Sequence, residues 1–221
     1  MCSGRVDPVM VMQALGSGAD GVFVGACKRG ECHYSSGNLH AEAKMELTRK
    51  VLALAGVNPE RLVMRWMSSA EGNRFAEYVT AFQAEISRMG AVGSAEEEQT
   101  EDLGLRLEAA RKALSGRKLR WAVGKIVEFK EKGNLYGELF TAHEVGRLYD
   151  EIAMDECRLR EILERVRAKP DSVKHLATAM GIAPRILLRQ MADLKRMGLA
   201  RVAEVKGTSP LWVAETGVEY R

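Results

Sequence analysis

The stretch Gly21-Val22-Phe23-Val24-Gly25-Ala26-Cys27 decides the fold of the first part of the chain. Its apolar run is too short for a helix and is typical of a strand buried on both faces. Helical spacing follows in residues 39–55, a second apolar run in residues 61–67, and a further amphipathic pattern in residues 73–89. This order predicts right-handed βαβ crossovers and a parallel sheet, so we expect an α/β fold.

Three of the four cysteines lie close to this strand in the sequence. Cys27 follows the carboxyl end of the predicted strand, which is the edge where open α/β sheets bind ligands. Cys2 precedes a predicted first helix near residues 8–15, so by the same reasoning it should follow an earlier strand. Because neighbouring strands are roughly 5 Å apart, thiolates at adjacent strand ends could share a metal cluster. The strand before Cys2 is almost absent, so we expect an N-terminally shortened version of a longer domain.

The spacing of Cys27 and Cys32 agrees with this expectation. Four residues between two thiolates is a spacing known for iron-sulfur ligation, and it is not that of a zinc ribbon. Lys28 and Arg29, which lie between the two cysteines, would favour the thiolate form. The alternative to a metal site is that these cysteines are buried or incidental residues on an α/β sheet of the nucleotide-binding type. Cys157, the fourth cysteine, lies far away in the sequence and is expected to be structural or inert.

Charge divides the chain into two parts. Residues 1–104 carry 10 basic and 14 acidic side chains, whereas residues 105–221 carry 23 basic and 16 acidic ones. The glycine-containing stretch at residues 90–94 runs into an acidic stretch without apolar periodicity, so we expect an acidic linker at residues 94–104 between a domain at 1–93 and another at 105–221. The sequence has no apolar run long enough for a membrane helix and no signal peptide pattern, which predicts a cytoplasmic protein.

The second domain is predicted to be mostly helical and to end in a winged-helix fold. One long basic helix is expected over residues 105–132, a helical turn at 141–149 and an amphipathic helix at 155–168. A helix then follows the cap Asp171-Ser172, Pro184 opens another helix, and two strands form a hairpin around Gly207. The predicted core of this part contains the residues Leu176, Ala179, Ile182, Ile186, Leu187, Met191, Leu194 and Leu199.

A winged helix can bind DNA or dock onto another protein. The second helix offers Arg185 and Arg189, and Lys206 in the predicted wing could contact a phosphate. The alternative is an ordinary solvated face or a protein docking module, because the fold alone does not fix function.

Several unusual segments, taken in order, resemble the delta subunit of methyl-viologen-reducing hydrogenase over about residues 1–93. They are Met1-Cys2-Ser3-Gly4-Arg5-Val6-Asp7, residues 18–27, Gly30-Glu31-Cys32-His33-Tyr34 with Gly37-Asn38, residues 56–62 and residues 69–75. The resemblance implies a small iron-sulfur subunit with a [2Fe-2S] cluster. Such a subunit passes electrons between a hydrogenase or formate dehydrogenase and the flavin subunit of a heterodisulfide reductase.

By this resemblance, Cys2, Cys27 and Cys32 occupy positions of cluster-associated cysteines, while a fourth ligand is not identified in the chain. Family members usually begin with a further cysteine-rich segment before the position of Met1. No catalytic triad or nucleotide-binding loop is visible in the sequence. The expected role is therefore a non-catalytic electron-transfer subunit of an oxidoreductase complex. The alternative is a redox-responsive DNA-binding regulator that uses Arg185, Arg189 and Lys206.

Overall fold

The computed structural model describes residues 2–94 and 102–217, which divide into two compact units. The first unit ends at Met154 and the second begins at Asp155. Most of the predicted linker, residues 95–101, lies outside the described residues, so the linker at 94–104 and the domains at 1–93 and 105–221 stay predictions. The packing itself groups the helices up to Met154 with the N-terminal residues.

The first unit contains the predicted alternation of strands and helices. Its elements are α1 (Pro8–Gly16), β1 (Val22–Ala26), α2 (Gly37–Leu54), β2 (Leu62–Trp66) and α3 (Gly72–Met89). β1 and β2 pair in parallel, from Val22 opposite Leu62 to Ala26 opposite Trp66. The α/β class with an N-terminal parallel sheet is thus confirmed. α1 begins where Asp7 accepts a hydrogen bond from the Val9 N–H at 3.0 Å, the usual role of an Asp cap.

β1 differs from the expectation of burial on both faces. Val24 and Ala26 are buried, but Gly25 between them is exposed. On the Phe23 side, β1 meets the aromatic face of α3, where Phe23 contacts Phe75 and Phe82 with ring centroids 6.1 and 5.8 Å apart. This helix buries none of its residues fully, so it covers that side of the strand only in part.

α2 is the central element of the first unit. It contacts α1 and β2, and also two further helices, α4 (Leu103–Ser115) and α5 (Arg117–Glu131). The predicted single helix over 105–132 is wrong, because Gly116 adopts an extended conformation (φ −70°, ψ 153°) that separates α4 from α5. The apolar positions that these helices bury include Leu107, Leu114, Leu119, Val123 and Ile126.

The predicted helical turn and the helix after it are one helix, α6 (Ala142–Ala168). Thr141 and Glu144 form a reciprocal pair at its start: the Thr141 N–H donates to Glu144 Oε2 at 2.8 Å, and the Glu144 N–H donates to Thr141 Oγ1 at 3.2 Å. This capping box satisfies backbone donors of the first turn and favours helix initiation there.

The second unit combines the rest of α6 with β3 (Asp171–Ser172), α7 (Val173–Ala179), α8 (Pro184–Arg196), β4 (Ala200–Lys206) and β5 (Ser209–Ala214). The strands form an antiparallel sheet in the order β3-β5-β4, and Gly207 (φ +60°) lies in the turn between β4 and β5. Two helices followed by a hairpin are as predicted, while assignment to the winged-helix fold stays a prediction.

The core of the second unit differs from the predicted set at particular positions. Ala179 and Ile186 are exposed, whereas Ala177 and Trp212 are buried. The prediction was wrong at the first two because helical spacing alone does not show where α7 ends or which side of α8 meets the sheet. The observed core is Ile162, Leu163, Val166, Leu176, Ala177, Leu187, Met191, Leu194, Leu199, Ala200, Trp212 and Ala214. In the described parts of the chain, no helix is long and apolar enough to cross a membrane.

Two adjacent leucines of α8 test this core. Leu187 is fully buried, whereas Leu188 is 54% exposed. We expect Leu187→Ala to lower the free energy of unfolding of the second unit by about 2–5 kcal/mol, because it leaves a cavity. Leu188→Ala should change it by less than about 0.5 kcal/mol. Urea unfolding followed by far-ultraviolet circular dichroism measures both, and equal losses would contradict the assignment of the buried face.

Candidate metal centre

The structure brings two of the three predicted cysteines together. Cys2 lies just before a short 3-10 helix at Ser3–Arg5, and Cys32 lies in the loop between β1 and α2. Their Sγ atoms are 3.8 Å apart although the residues are 30 positions apart in the sequence. Both thiols are free and half-buried. The predicted convergence of sulfur atoms is therefore present for Cys2 and Cys32.

Two glycines allow this approach. A Cβ atom on Gly4 would lie 2.6 Å from the Gly37 carbonyl oxygen, and a Cβ atom on Gly37 would lie 2.4 Å from Cys2 Sγ and 3.3 Å from Cys32 Sγ. Only a residue without a side chain fits at these contacts. The Gly4 N–H also donates to Cys2 Sγ at 3.4 Å. The N-terminal segment thus lies directly against the first turn of α2.

Cys32 takes the place of a side-chain cap at the start of α2. Partial desolvation raises the pKa of the Cys32 thiol, but hydrogen bonds from the backbone of Asn38, Tyr34 and Gly37 and from the Cys2 thiol outweigh it and leave the pKa below its usual value. A helix N-terminus favours negative charge, which acts in the same direction. The geometry therefore favours a thiolate at this position.

Asn38 organises the cysteine loop and was not singled out by sequence reasoning as a site residue. Its side chain is 1% exposed, and its Nδ2 donates to the carbonyl oxygens of Cys27 and Lys28 at 3.1 and 2.8 Å. A buried amide with two loop acceptors fixes the chain between β1 and α2. The Gly37-Asn38 pair of the sequence was the signal that could have identified it.

Cys27 is placed differently from the other two cysteines. It follows β1 as predicted and faces a shallow cleft of about 400 Å³ that Ser3, Met67 and Phe75 also line. Within residues 2–94 and 102–217, no three His, Cys, Asp or Glu side chains form a group that could hold a metal ion. The three-cysteine ligand set accordingly stays a prediction.

The two basic residues of the loop are paired with carboxylates. Lys28 Nζ lies 2.7 Å from Glu71 Oε1, and Arg29 Nη2 lies 2.6 and 2.7 Å from the two oxygens of Glu42. The pKa of Cys32 is lowered by hydrogen bonds from backbone groups and from the Cys2 thiol. The expected role of Lys28 and Arg29 in favouring a thiolate stays a prediction.

Glu71 connects the cysteine loop to the loop after β2. Besides Lys28, it accepts from the Ser68 N–H at 2.8 Å and from Arg74 at 2.8 Å. The Lys28 hydrogen bond, followed by that of Ser68, lowers the pKa of Glu71, so the carboxylate stays charged at neutral pH. This residue holds the two loops at one edge of the sheet, and sequence reasoning missed it as a site residue.

The residues of the alternative prediction lie in the second unit. Arg185 and Arg189 are exposed on α8, four residues apart and therefore on the same face, and Lys206 is exposed at the end of β4. The structure records no ion pair for these three among the described residues. Cys157 lies on α6, where desolvation and then the Glu156 and Glu161 carboxylates raise its pKa to about 12. A raised pKa disfavours the reactive thiolate, and the expectation of a structural or inert thiol stays a prediction.

The residues present fit part of the ligand set of an iron-sulfur cluster. Such a cluster is held by four thiolates, and hydrogen bonds to the sulfur atoms are a regular feature of these sites. Cys2 and Cys32 provide two converging sulfur atoms with N–H donors, and Cys27 provides a third thiol in the same loop. The Cys2–Cys32 pair fits two of the four ligand positions of such a cluster.

Comparisons with known proteins identify relatives that are named iron-sulfur subunits. The family model described as methyl-viologen-reducing hydrogenase, delta subunit, matches residues 1–90. Over 89 residues, the chain is 47% identical to the iron-sulfur subunit of the F420-non-reducing hydrogenase of Archaeoglobus profundus, and the match covers 40% of the chain and 65% of that protein. The corresponding protein of Methanopyrus kandleri is 38% identical over 89 residues, with 40% of the chain and 67% of that protein covered.

A larger protein carries a similar segment. This protein, which belongs to the ferredoxin:CoB-CoM heterodisulfide reductase of Methanosarcina mazei, is 43% identical over 94 residues, which are 42% of the chain and 12% of that protein. The chain thus spans slightly less than two thirds of the Archaeoglobus protein and a small part of the Methanosarcina one. Through residues 1–90, the chain belongs to the family of the methyl-viologen-reducing hydrogenase delta subunit.

Proposed function

We propose that this protein is an electron-transfer subunit that binds a [2Fe-2S] cluster through Cys2, Cys27 and Cys32. It relays electrons between a hydrogenase or formate dehydrogenase and the flavin subunit of a heterodisulfide reductase. The observation that carries the proposal is the 3.8 Å separation of Cys2 Sγ and Cys32 Sγ, which the fold creates from two distant segments.

The names of the relatives support the electron-transfer role. Two are iron-sulfur subunits of hydrogenases, and a third, which contains a similar segment, is part of a heterodisulfide reductase. A segment that occurs both in hydrogenases and in a heterodisulfide reductase suits a relay between two such enzymes. The partners of this chain are inferred from that distribution.

The residues of the site would hold and tune the cluster. Cys2 and Cys32 would supply adjacent thiolates, and Cys27 a third. When bound, the cluster would supply one-electron transfer. The Gly4 N–H and the N–H groups at the start of α2 donate to the sulfur atoms, and such donors stabilise the more negative, reduced form of an iron-sulfur site. The side chains of Asn38 and Glu71 position the loop that carries Cys27 and Cys32.

Cysteine replacement tests the ligand set. We expect the full chain, reconstituted anaerobically with iron and sulfide, to bind both and to gain visible absorption. Cys2→Ser, Cys27→Ser and Cys32→Ser should each remove most of this absorption, because a hydroxyl is a poor ligand for iron compared with a thiolate. Iron and sulfide analysis together with electron paramagnetic resonance checks the amount and the cluster type.

Cys157→Ser is the matched control, because that thiol lies in the other unit and has a raised pKa. It should bind as much iron as the wild type. Full cluster content in Cys2→Ser or Cys32→Ser would overturn the proposed ligand pair.

A glycine replacement tests the close approach itself. Gly37→Ala places a Cβ atom 2.4 Å from the Cys2 sulfur, which is too close for a nonbonded contact, so we expect displacement of Cys2 and loss of most bound iron while the helical content persists. Gly16→Ala, at the end of α1, meets nothing within 4 Å and serves as the control. Iron analysis of the two variants measures cluster binding, and circular dichroism measures their helical content. Equal iron in both would mean that the Gly37 contact does not position the ligand.

The partner assignment is tested by affinity purification of the full chain under anaerobic conditions. We expect hydrogenase or formate dehydrogenase subunits and a heterodisulfide reductase flavin subunit to copurify in stoichiometric amounts. Recovery of the cluster-bound chain without these enzymes would contradict the relay while leaving cluster binding intact.

One observation favours a second candidate, a redox-responsive DNA-binding regulator: Arg185, Arg189 and Lys206 are exposed cations of one unit. Such a regulator would bind duplex DNA with a steep dependence on salt, and Arg185→Ala or Arg189→Ala would weaken the binding. A fluorescence anisotropy titration of duplex DNA at two salt concentrations measures this. The absence of salt-dependent binding would remove this candidate.

A further inference from the structure

A cleft opens beside the paired thiols. It has a volume of about 630 Å³, and Cys2 lies in its wall together with Tyr34 and His40. Cys32 lies behind Cys2, 3.8 Å away, and does not line the cleft. A small molecule in the cleft would therefore contact Cys2 before Cys32, whose sulfur lies 3.8 Å from that of Cys2.

The cleft is positively charged. Its described lining includes Arg5, Lys44 and Arg120 and contains no carboxylate. Lys44 Nζ donates to the Gly4 carbonyl oxygen at 2.6 Å. Arg120 forms an ion pair with Asp7 at 2.8 Å that offsets its charge, so Arg5 and Lys44 give the cleft its net positive charge. Arg5 is exposed. Fixed cations around a small opening raise the local concentration of anionic molecules.

The two sulfur atoms are close enough to bond after a small movement. A disulfide bond is about 2.05 Å long, so each sulfur would move by about 0.9 Å. Gly37 lies next to both sulfur atoms and has no side chain that could obstruct their approach. Both cysteines are half-buried, which leaves Cys2 accessible to a reagent that the cleft admits.

We propose that, in the protein without a bound cluster, Cys2 and Cys32 form a reactive dithiol that small anionic disulfides oxidise through this cleft. This inference goes beyond the electron-transfer role and does not depend on it. It concerns the same two thiols, so the disulfide and a cluster bound through them exclude each other.

The chemistry proceeds in two exchange steps. The Cys2 thiol gives its proton to water, its sulfur attacks one sulfur of the small disulfide, and the first small thiolate leaves and takes up a proton. Cys32 then loses its proton, attacks Cys2 Sγ in the mixed disulfide and releases the second small thiol. In each step one S–S bond forms and one breaks. The protein loses two electrons and two protons, and the small disulfide gains them.

The test uses the full chain, reduced and freed of metal by a chelator, in a Cys27→Ser/Cys157→Ser background. Glutathione disulfide is the anionic probe and cystamine the cationic one, and each rate is divided by the rate of the same probe with a neutral free thiol. We expect glutathione disulfide to give a Cys2–Cys32 disulfide, detected by mass spectrometry of unreduced peptides, at the higher normalised rate. In the same assay, Cys32→Ser should stop at a stable mixed disulfide on Cys2.

Charge reversal tests the role of the cleft. Arg5→Glu should lower the normalised rate with glutathione disulfide by at least about threefold and raise the rate with cystamine. Arg65→Glu makes the same change of charge on the exposed side of β2, outside the cleft, and should have little effect. Equal effects of the two variants would overturn recognition by the cleft.

Independent modification of Cys2 and Cys32 without a bond between them would overturn the dithiol itself. These outcomes are separate from cluster binding, which iron and sulfide analysis measures. A chain that binds no iron but forms the Cys2–Cys32 disulfide would contradict the proposed function alone. A chain that binds iron but forms no such disulfide would contradict this inference alone.

Discussion

The close contact between Gly4 and Gly37 is the constraint on which the candidate site depends. It lets the N-terminal segment lie on the first turn of α2, so that Cys2 comes within 3.8 Å of Cys32. The N–H groups of that turn then face the Cys32 sulfur, where other helices have a Ser, Thr or Asp cap. One backbone contact thus fixes the distance between the thiols and the electrostatic environment of Cys32.

The rest of the first unit holds the two sides of this contact in place. α2, the helix that carries this turn, packs against α1, β2, α4 and α5. On the sheet side, Asn38 and Glu71 fix the loops that follow β1 and β2. Such buried or multiply bonded polar groups specify one loop conformation. The site is therefore positioned by backbone hydrogen bonds and packing, whereas the loop cations are engaged elsewhere.

The sequence allowed the α/β class and the parallel strand pair to be predicted, because apolar runs depend on local patterns. Reasoning from strand ends placed Cys2 near Cys27, whereas the 3.8 Å approach of Cys2 to Cys32 depends on how the loop between β1 and α2 folds. The sequence did not reveal the break at Gly116, since a glycine between two amphipathic stretches is compatible with one helix or two. Nor did it reveal the roles of Asn38 and Glu71, which depend on loops meeting in space. The exposed position of Ile186 was missed because the side of α8 that meets the sheet is decided by tertiary packing.

The position of bound iron decides whether the paired thiols are cluster ligands. The most direct measurement is diffraction at the iron absorption edge from crystals of the anaerobically reconstituted chain, which locates iron atoms without reference to any variant. We expect an anomalous peak within bonding distance of both Cys2 Sγ and Cys32 Sγ. A peak at any other set of residues, or bound iron with both of these sulfur atoms unligated, would contradict cluster binding by this pair.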